Sequence, residues 1–353
     1  MAVFDFKKTD ERIRHFWESE QIFEKSLELR SKEEHFVFFE GPPTANGLPH
    51  IGHFLTRVFK DLYGRYKTMR GYSVLRRAGW DTHGLPIEIE IEKELGFKNK
   101  KQIEEYGIAK FNQKAKENAK KYKGLWEQMT KRMGFWLDLH DPYVTYETSY
   151  IESVWNIIKT IWDKDLLYQA HRVVPFCTRC GTGLSSHEVA QGYKLVKENS
   201  VYLKFKLTKN DKFSENTFIL AWTTTPWTLP GNVALAVGKD IRYVKIKPKD
   251  SEETYILAKD LLLKVFPQFD GAELGFIDGN DLVGLEYEPL FDVSQLKSEK
   301  SYHIYAAPFV STTDGTGVVH TAVMYGEDDY ALGTELGLPK VHTVDLQGKF
   351  IGV

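Results

Sequence analysis

The chain has 353 residues, 42% of them apolar and 14% aromatic, which is enough for two domains with full cores and excludes a disordered chain. Two cysteines in so long a chain exclude a disulfide framework and favour a reducing compartment, and a net charge of −2 neither supports nor excludes a nucleic-acid partner. The sequence shows no apolar core of a secretory signal and no run near the ~20 apolar residues of a membrane span, so we expect a cytoplasmic protein without a membrane partner.

An amphipathic helix is predicted near the N-terminus, between residues 5 and 29. Apolar side chains recur there among charged ones at helical spacing. They are Ile13, Phe16, Trp17, Ile22 and Phe23. We predict a structural helix on the outside of the first domain.

A strand, a loop, a helix and a second strand follow. The run 35–40 (HFVFFE) is apolar and rich in β-forming residues, which predicts a buried parallel strand. After the loop 41–49 (GPPTANGLP), apolar residues recur at helical spacing over 51–69, and Gly71 is placed to cap that helix. A second strand is predicted at 72–75. Such a unit forms a right-handed crossover, and ligands bind at the carboxyl ends of its strands.

Two histidines, His50 and His53, stand at the start of this predicted helix. The positive end of the helix dipole and its free backbone N–H groups favour a phosphate there, and both imidazoles lie on one face of the first turn. Gly52 has no side chain to hold a nucleotide away. The group can stabilise negative charge while a phosphorus centre is attacked, which is electrostatic catalysis. A His-x-x-His pair alone is more often structural, but the loop and strand before it favour catalysis.

Further helices are predicted in the first domain. We favour a helix over 87–92, although isoleucine and glutamate alternate there. The lysine-rich run 98–123 is typical of a solvated helix face, with contact to nucleic-acid phosphates as the alternative. The helical pattern continues from Trp126 and ends near Asp138, and an amphipathic helix is predicted over 148–163.

Cys177 and Cys180 form a CxxC turn followed by glycine, a knuckle that can present two thiolates to zinc. Tetrahedral zinc needs four ligands, and the chain contains no other cysteine. His171 and His187 are the nearest alternatives. The motif is therefore half a site, and a reduced pair on a β-turn is the simpler interpretation.

From about Tyr193 the sequence becomes strand-like. The matching segments are 200–207, 217–225, 233–238, 243–248 and 254–258. Short strands broken by turn residues predict a β-barrel or a sandwich. We therefore place a domain boundary in this region.

A second polar cluster lies within the β-rich region. In the stretch 222–232, four hydroxyls and one amide stand among apolar and aromatic groups. A buried strand containing His320 leads into a polar loop with Asp328 and Asp329, and a helix is predicted from about Tyr330. Hydroxyl bonding to the backbone and helix capping explain these pieces structurally. A pocket that binds a ribose and positions a water explains them functionally.

The motif GPPTANGLPHIGH (41–53) resembles the HIGH signature of class I aminoacyl-tRNA synthetases, and in its details it resembles the isoleucyl-tRNA synthetase family. Three further stretches are similar to that family: GWDTHGLPIE (79–88), YIESVW (150–155) and CTRCGTGLSSHEVAQGY (177–193). The valyl and leucyl enzymes resemble the first motif but differ in the second. The resemblance runs from about Phe4 to the last residue.

The resemblance implies an α/β fold in which the Rossmann-like nucleotide-binding half of a class I synthetase carries an inserted β-barrel editing domain. The N-terminal helix and the first half of the catalytic domain then occupy 1–175. The CxxC connector occupies 176–194. The editing domain, incomplete at its C-terminal end, occupies 195–353.

The resemblance also implies the reaction: ATP, with Mg²⁺, activates isoleucine to isoleucyl-adenylate, and the amino acid is then transferred to tRNA(Ile). The histidines His50 and His53 become the catalytic residues. Pro42 and Asp81 form the amino-acid pocket, where Asp81 holds the substrate ammonium, with a helix cap as its alternative role. The implied ATP-binding residues are Thr44, Asn46, His50, Gly52 and His53.

A second, hydrolytic site is implied as well. Isoleucyl enzymes are a standard example of an enzyme that needs such a site. Isoleucine and valine differ by one methylene, which is worth only ~1–3 kcal/mol in an apolar pocket. A smaller site that hydrolyses valyl-tRNA excludes isoleucine by size. Asp329 is implied to bind the α-amino group, which leaves Asp328 as a capping or solvated residue. The residues implied to form this pocket are Thr223, Thr224, Thr225, Asn232, His320 and Asp329.

Two features of the family are missing from the sequence: a KMSKS-like loop, which is the other half of the ATP clamp, and a second cysteine pair. We therefore expect an N-terminal fragment or truncated gene product, monomeric and unable to catalyse isoleucine-dependent pyrophosphate exchange alone. The alternatives are a freestanding editing hydrolase, a non-catalytic tRNA-binding module and a different HxGH nucleotidyltransferase. The 79–88 motif and the threonine-rich insert argue against the last.

Overall fold

The structure is a computed structural model that describes residues 5–38, 41–208 and 213–352. The chain divides into two units, Met1–Gln169 and Ala170–Val353. In the described ranges, none of the helices has the length and apolar character that a membrane span needs.

The first unit is mostly helical. Helix formation over 51–69 is as predicted, and Gly71 after it has a φ of +100°, as suits a glycine that ends a helix. Helix at 87–92 is also confirmed. The elements in chain order are α1 (Phe6–Ser19), α2 (Ile22–Glu28), α3 (Ile51–Met69), β1 (Arg77–Trp80), α4 (Leu85–Leu95), α5 (Lys100–Tyr106), α6 (Ile108–Arg132), β2 (Asp138–Val144) and α7 (Thr148–Trp162).

Other helices of this unit have limits that differ from the predicted ones. The expected N-terminal helix is two helices, because Gln21 adopts a left-handed φ of +48° between α1 and α2. The lysine-rich run is divided into α5 and α6 at Gly107, whose φ is +101°. Helix α6 ends at Arg132 and not near Asp138, since Gly134, at a φ of +71°, turns the chain out of the helix.

The buried strand predicted at 35–40 is wrong where the structure describes it, and its last two residues, Phe39 and Glu40, lie outside the described ranges. Only His35 pairs as in a strand, parallel to Ser73. The run lines an open groove of about 610 Å³. Its apolar side chains therefore lack the second covering layer that buries a parallel strand.

The second predicted strand begins later than 72–75. Strand β1 starts at Arg77 and pairs in parallel with β2. Directly after β1, Asp81 pairs in parallel with Thr44, and the N–H of Ala45 donates to the carbonyl of Asp81 at 2.9 Å. The two predicted strands are thus parallel, but the segment 35–44 is joined to its partner only by isolated bridges, at His35 and at Thr44, within the described residues.

Buried side chains of the first unit gather around its strands and long helices. Helix α7, by contrast, buries none of its residues, and Trp155 is 68% exposed, so the apolar face predicted for this helix lies open. The clusters include Trp80, Trp126 and Val144, and also Ile91, Ile103 and Phe111.

The second unit is rich in β-strands, and all five strands predicted between 200 and 258 are confirmed. Its helix after the last strand begins at Glu327 and not near Tyr330. The elements are β3 (Phe176–Cys177), β4 (Thr182–Gly183), α8 (Ser186–Ala190), β5 (Val201–Lys206), β6 (Thr217–Thr223), β7 (Ala234–Val237), β8 (Arg242–Pro248), β9 (Thr254–Ala258), α9 (Leu262–Val265), β10 (Gly271–Asp278), α10 (Gly279–Leu282), β11 (His303–Ala306), β12 (Val318–Thr321) and α11 (Glu327–Leu336).

Two sheets share the core of the second unit. One sheet has the order β10-β8-β9-β6-β5, and the other has the order β11-β7-β12. One buried cluster combines Ile219 and Ile256 of the first sheet with Leu235 and Val318 of the second. The strands β3 and β4 form a separate pair, and closure into a barrel is not seen among the described strands of this unit.

Candidate functional sites

The first turn of α3 is capped by the two predicted histidines. His50 precedes the helix, and its Nδ1 accepts the backbone N–H of Gly52 at 3.1 Å. The backbone N–H of His50 donates in turn to Nδ1 of His53 at 3.2 Å, and the two ring centroids are 3.8 Å apart. This reciprocal capping box places both imidazoles at the positive end of the helix dipole.

The same hydrogen bonds fix the protons of both rings. Because each Nδ1 accepts a backbone N–H, each neutral ring carries its proton on Nε2. Burial lowers the pKa of His53, and the neighbouring His50 and Arg57 lower that pKa further, so the ring is neutral at pH 7. The site therefore offers imidazole N–H donors beside a helix N-terminus, an arrangement that suits phosphate oxygens.

Gly52 leaves room for this cap. A Cβ at Gly52 would lie 3.0 Å from Cε1 and 3.2 Å from Nδ1 of His50, so a larger residue would press on the capping ring. The sequence suggests that Gly52 admits a nucleotide. The structure adds a second reason for glycine at this position.

The loop 41–49 connects Asp81 with the start of α3. Thr44 pairs with Asp81 through the backbone, and the Thr44 hydroxyl donates to Oδ2 of Asp81 at 3.2 Å. The other carboxylate oxygen accepts the N–H of His83 at 3.3 Å. Asp81 is half-buried and keeps lone pairs for a ligand's ammonium. The structure thus brings Thr44 and Asp81 together.

Pro42 and Asn46, the other predicted residues of the loop, are half-buried and follow its course. The residues beside them are fixed by the backbone. The carbonyl of Pro43 accepts the N–H of Asp81 at 3.1 Å, and the carbonyl of Gly47 accepts a hydrogen bond from a side chain at 2.9 Å.

That side chain is Trp126 of α6, which is not predicted from its sequence pattern to belong to this site. Its indole N–H donates to Gly47, and its ring meets the imidazole of His53 with centroids 4.6 Å apart. Trp126 lies 79 positions from Gly47 in the chain, and its helical spacing indicates only a core residue. No local signal marks it.

The second predicted site is a pocket of about 160 Å³ in the second unit. It brings together Thr223, Thr225, His320 and Asp329, all of which the sequence analysis assigns to one site. They come from the end of β6, the loop after it, strand β12 and the first turn of α11. The other lining residues are Trp222, Thr228, Val319, Ala322 and Tyr325. Trp222 and Thr228 lie in the stretch 222–232 that is singled out from the sequence, whereas the last three are not predicted.

Thr228 fixes the proton of His320. The Thr228 hydroxyl donates to the carbonyl of Thr225 at 2.8 Å and lies 3.0 Å from Nε2 of His320. Since a hydroxyl has one proton, Thr228 accepts the second bond from Nε2–H, and Nδ1 is the unprotonated nitrogen. Within the described residues Nδ1 is buried without a partner, and burial lowers the pKa of His320 to about 4.

Asp329 is a carboxyl group in an environment that disfavours its charge. Its Oδ1 accepts the N–H of Ala322 at 3.1 Å, and burial raises its pKa to about 6. A cationic ligand would offset the cost of ionising such a group. The neighbouring Asp328 is exposed. This difference agrees with the predicted roles, in which Asp329 binds the α-amino group and Asp328 is a capping or solvated residue.

Two residues predicted for this pocket do not line it. Thr224 is exposed. Asn232 is buried, and its side chain is engaged in the core: Nδ2 donates to the carbonyl of Ala234 at 3.0 Å, and Oδ1 accepts the hydroxyl of Tyr287 at 2.7 Å. The structure therefore places the side chain of Asn232 in the core and not among the residues that line the pocket.

Cys177 and Cys180 close a tight turn at the β3–β4 pair. The N–H of Cys180 donates to Sγ of Cys177 at 3.4 Å. His187, one of the alternative ligands, lies 2.7 Å from the amide nitrogen of Gln191. No third His, Cys, Asp or Glu joins the pair in the part of the chain that the structure describes, so these residues fit half of a zinc site.

Comparison with known proteins gives matches over nearly the whole chain. A family model described as tRNA synthetases class I (I, L, M and V) matches residues 12–309. The isoleucine–tRNA ligase of Clostridium novyi is 52% identical over 347 residues, which are 98% of this chain and 33% of the relative. That of Bacillus thuringiensis is 51% identical over 339 residues, which are 96% of this chain and 32% of the relative. The chain spans about a third of the length of these curated relatives.

Solved structures of leucyl-tRNA synthetases are also similar. A ternary complex of a leucyl enzyme from Agrobacterium radiobacter with tRNA and LeuAMS has a TM-score of 0.39 and 18% identity, and the match covers 96% of this chain and 44% of that one. The cytosolic leucyl-tRNA synthetase editing domain of P. knowlesi has a TM-score of 0.31 and 20% identity, and the match covers 37% of this chain and 59% of that one. The family model spans most of the chain, so the chain belongs to the class I tRNA synthetases of the I, L, M and V group and has their α/β fold.

Proposed function

We propose that this chain carries the activating site of an isoleucine–tRNA ligase in its first unit and an editing site in its second. The capping box of His50 and His53 carries the first assignment, because it leaves Nε2–H donors at a helix N-terminus. Asp81 is tied to the loop that leads into the same helix. The curated relatives that are about half identical over this chain are isoleucine–tRNA ligases, which supports isoleucine as the amino acid.

In activation, the isoleucine carboxylate attacks the α-phosphorus of ATP, and pyrophosphate leaves as isoleucyl-adenylate forms. No general base is needed, because the carboxylate is already a nucleophile. The Nε2–H groups of His50 and His53 donate hydrogen bonds to phosphate oxygens, whose negative charge changes as the bond to pyrophosphate breaks. Asp81 holds the substrate ammonium, and Mg²⁺ bound with ATP neutralises part of the phosphate charge. The other residues of the ATP site are Thr44, Asn46 and Gly52, with Pro42 beside the amino acid.

Calorimetric titration of Mg-ATP into the chain tests the activating site. His53→Ala removes one donor to a charged group and is expected to weaken binding by about tenfold or more. His140→Ala is the control, because His140 is an exposed histidine of the same unit. A wild-type chain that binds no Mg-ATP, or equal weakening by both substitutions, contradicts the assignment.

For the second unit we infer hydrolysis of valyl-tRNA. In this proposal Asp329 binds the α-amino group of the misattached valine, while the hydroxyls of Thr223 and Thr225 and the side chain of His320 hold the ribose and a water. Water is consumed as the ester C–O bond breaks, which releases valine and tRNA. Selection by size requires that isoleucine does not fit this site, because one methylene is otherwise worth only ~1–3 kcal/mol.

Release of valine from valyl-tRNA(Ile) tests this site. Asp329→Ala is expected to abolish the reaction, whereas Asp328→Ala, a substitution of the exposed neighbour, is expected to leave it unchanged. Isoleucyl-tRNA(Ile) is expected to persist. Loss of activity in both variants, or in neither, contradicts the role of Asp329. Hydrolysis without Mg-ATP binding would favour a freestanding editing hydrolase, and tRNA binding without either would favour a non-catalytic module.

We further propose that the catalytic half occupies 1–175, the CxxC connector 176–194 and an editing domain with a closed β-barrel 195–353. The two units of the structure divide after Gln169, a few residues before the proposed connector. tRNA(Ile) is the proposed partner of a monomeric chain. The two unpaired cysteines support a cytoplasmic location. No step of this proposal depends on zinc, because the cysteine pair supplies half of the ligands.

A further inference from the structure

Trp126 contacts both parts of the proposed nucleotide site. It is 2% exposed and belongs to a buried cluster with Trp80 and Val144. Its indole N–H donates to the carbonyl of Gly47 at 2.9 Å. Its ring meets the imidazole of His53 edge to face, with centroids 4.6 Å apart and planes inclined by 61°.

We propose that Trp126 is a positioning residue of this site, which holds the 41–49 loop and the imidazole of His53 in one fixed arrangement. The proposal rests on the proposed function, because that function assigns a nucleotide to this place. Its effect on Gly47 and on His53, however, is measurable without any nucleotide.

The loop is held at few points. The Nζ of Lys60 donates to the carbonyl of Gly41 at 3.2 Å, and Thr44 pairs with Asp81 through the backbone. Over 46–49, the described part of the chain supplies one hydrogen bond, that from Trp126 to Gly47. Binding groups on a loop must be held to within about half an ångström of their productive geometry, so this anchor sets how well the loop is ordered.

The imidazole of His53 depends on the same indole. The backbone N–H of His50 holds its Nδ1, and the indole packs against its ring. Arg57, one turn further along α3, lies over this indole at 5.1 Å and is bonded to Thr130 of α6 at 3.1 Å. Loss of the indole would admit water, and the pKa of His53 would rise because burial is the main cause of its low value. A protonated His53 cannot accept the bond that closes the capping box.

Two substitutions in one buried cluster test the proposal. Trp126→Phe keeps an aromatic ring but removes the N–H that binds Gly47. Trp80→Phe is the matched control, because Trp80 is also fully buried and its indole N–H has no partner among the described residues. A general loss of packing affects both variants alike. The readouts, made on the full 353-residue chain, are the ¹³C shift of the Gly47 carbonyl, the pKa of His53 by ¹⁵N NMR, and the Kd for Mg-ATP.

With Trp126→Phe we expect a changed Gly47 shift, a raised pKa of His53, and a Kd for Mg-ATP that is about five- to tenfold higher, the loss typical of one hydrogen bond. With Trp80→Phe we expect all three to stay close to wild type. Equal changes in the two variants, or none with Trp126→Phe, would overturn the proposal.

Two outcomes need a further measurement: a Trp126→Phe variant that does not fold, and a wild-type chain that does not bind Mg-ATP. If Trp126→Phe does not fold, β-(3-benzothienyl)alanine at position 126, which replaces only the N–H by sulfur, makes the comparison for the Gly47 shift and the Kd, while the pKa of His53 is expected to stay in place because the ring that buries it is kept. If the wild-type chain binds no Mg-ATP, the proposed function fails. The Gly47 shift and the pKa of His53 then still decide whether Trp126 positions the loop and the imidazole.

Discussion

Burial shifts the pKa values of three titratable side chains in the proposed sites, His53, His320 and Asp329. Burial lowers the pKa of His320 to about 4 and raises that of Asp329 to about 6, so the first is neutral and the second resists ionisation. His50 and His53 are held as Nε2–H donors by the N–H groups that their Nδ1 atoms accept. The sequence identifies these residues, but their protonation depends on contacts between distant parts of the chain.

Asp329→Asn is expected to stabilise the protein at pH 7 and to abolish editing. The folded protein holds the Asp329 proton up to about pH 6, whereas the ordinary pKa of the group is 3.8. The contribution of this carboxyl to the free energy of unfolding therefore decreases as the pH rises between these two values. An amide does not ionise and can still accept the N–H of Ala322. The expected gain is up to about 3 kcal/mol at pH 7 and disappears near pH 4.

Urea unfolding of both proteins between about pH 4 and about pH 8 measures this difference. His320 acts in the opposite direction: its contribution is present above an unfolded pKa of about 6.5 and is lost as the pH falls toward 4. Because both proteins contain His320, its effect cancels in the comparison. An Asp329→Asn variant that is less stable than wild type at pH 7 would show that the carboxyl is not in the environment described.

At the scale of the element, the first turn of α3 combines a structural cap with the proposed chemistry, and His50 takes part in both. His50→Asn keeps a side-chain acceptor for the N–H of Gly52 but removes the Nε2–H donor. We expect stability within about 0.5 kcal/mol of wild type, together with clearly weaker binding of Mg-ATP. His50→Ala removes both functions and is expected to cost about 1 kcal/mol as well. Thermal unfolding and calorimetric titration of the three proteins separate the two roles; an Asn variant that binds Mg-ATP like wild type would exclude this imidazole as a phosphate ligand.

Elements with a local signal are predictable from the sequence, and those that depend on distant partners are not. The apolar spacing of α3 and the short strand-like segments broken by turn residues between 200 and 258 predict what the structure shows. The run 35–40 has the composition of a buried strand but no covering layer among the described residues. The same division holds in the first site: His50 and His53 lie in a short motif, whereas Trp126 acts across 79 positions of the chain. Thr228 lies in a stretch that the sequence singles out, but its bond to His320, 92 positions away, has no local signal.

At the scale of the whole molecule, each unit has its own core and its own proposed site. The activating site is built entirely from the first unit, at the start of α3 and the end of β1. The pocket with His320 and Asp329 is built entirely from the second. A ligand of one site is therefore expected to act on the histidines of its own unit.

The proposed activating site places nucleotide phosphates against the N-terminus of α3. ¹⁵N NMR of the histidine-labelled chain during titration with Mg-ATP tests it most directly, because each Nε2 gives its own resonance. If phosphates bind there, the Nε2 resonances of His50 and His53 are expected to shift together with a single Kd, while the Nε2 resonance of His320 remains in place. Saturating Mg-ATP that leaves His50 and His53 unshifted, or that shifts His320 in their stead, would contradict it.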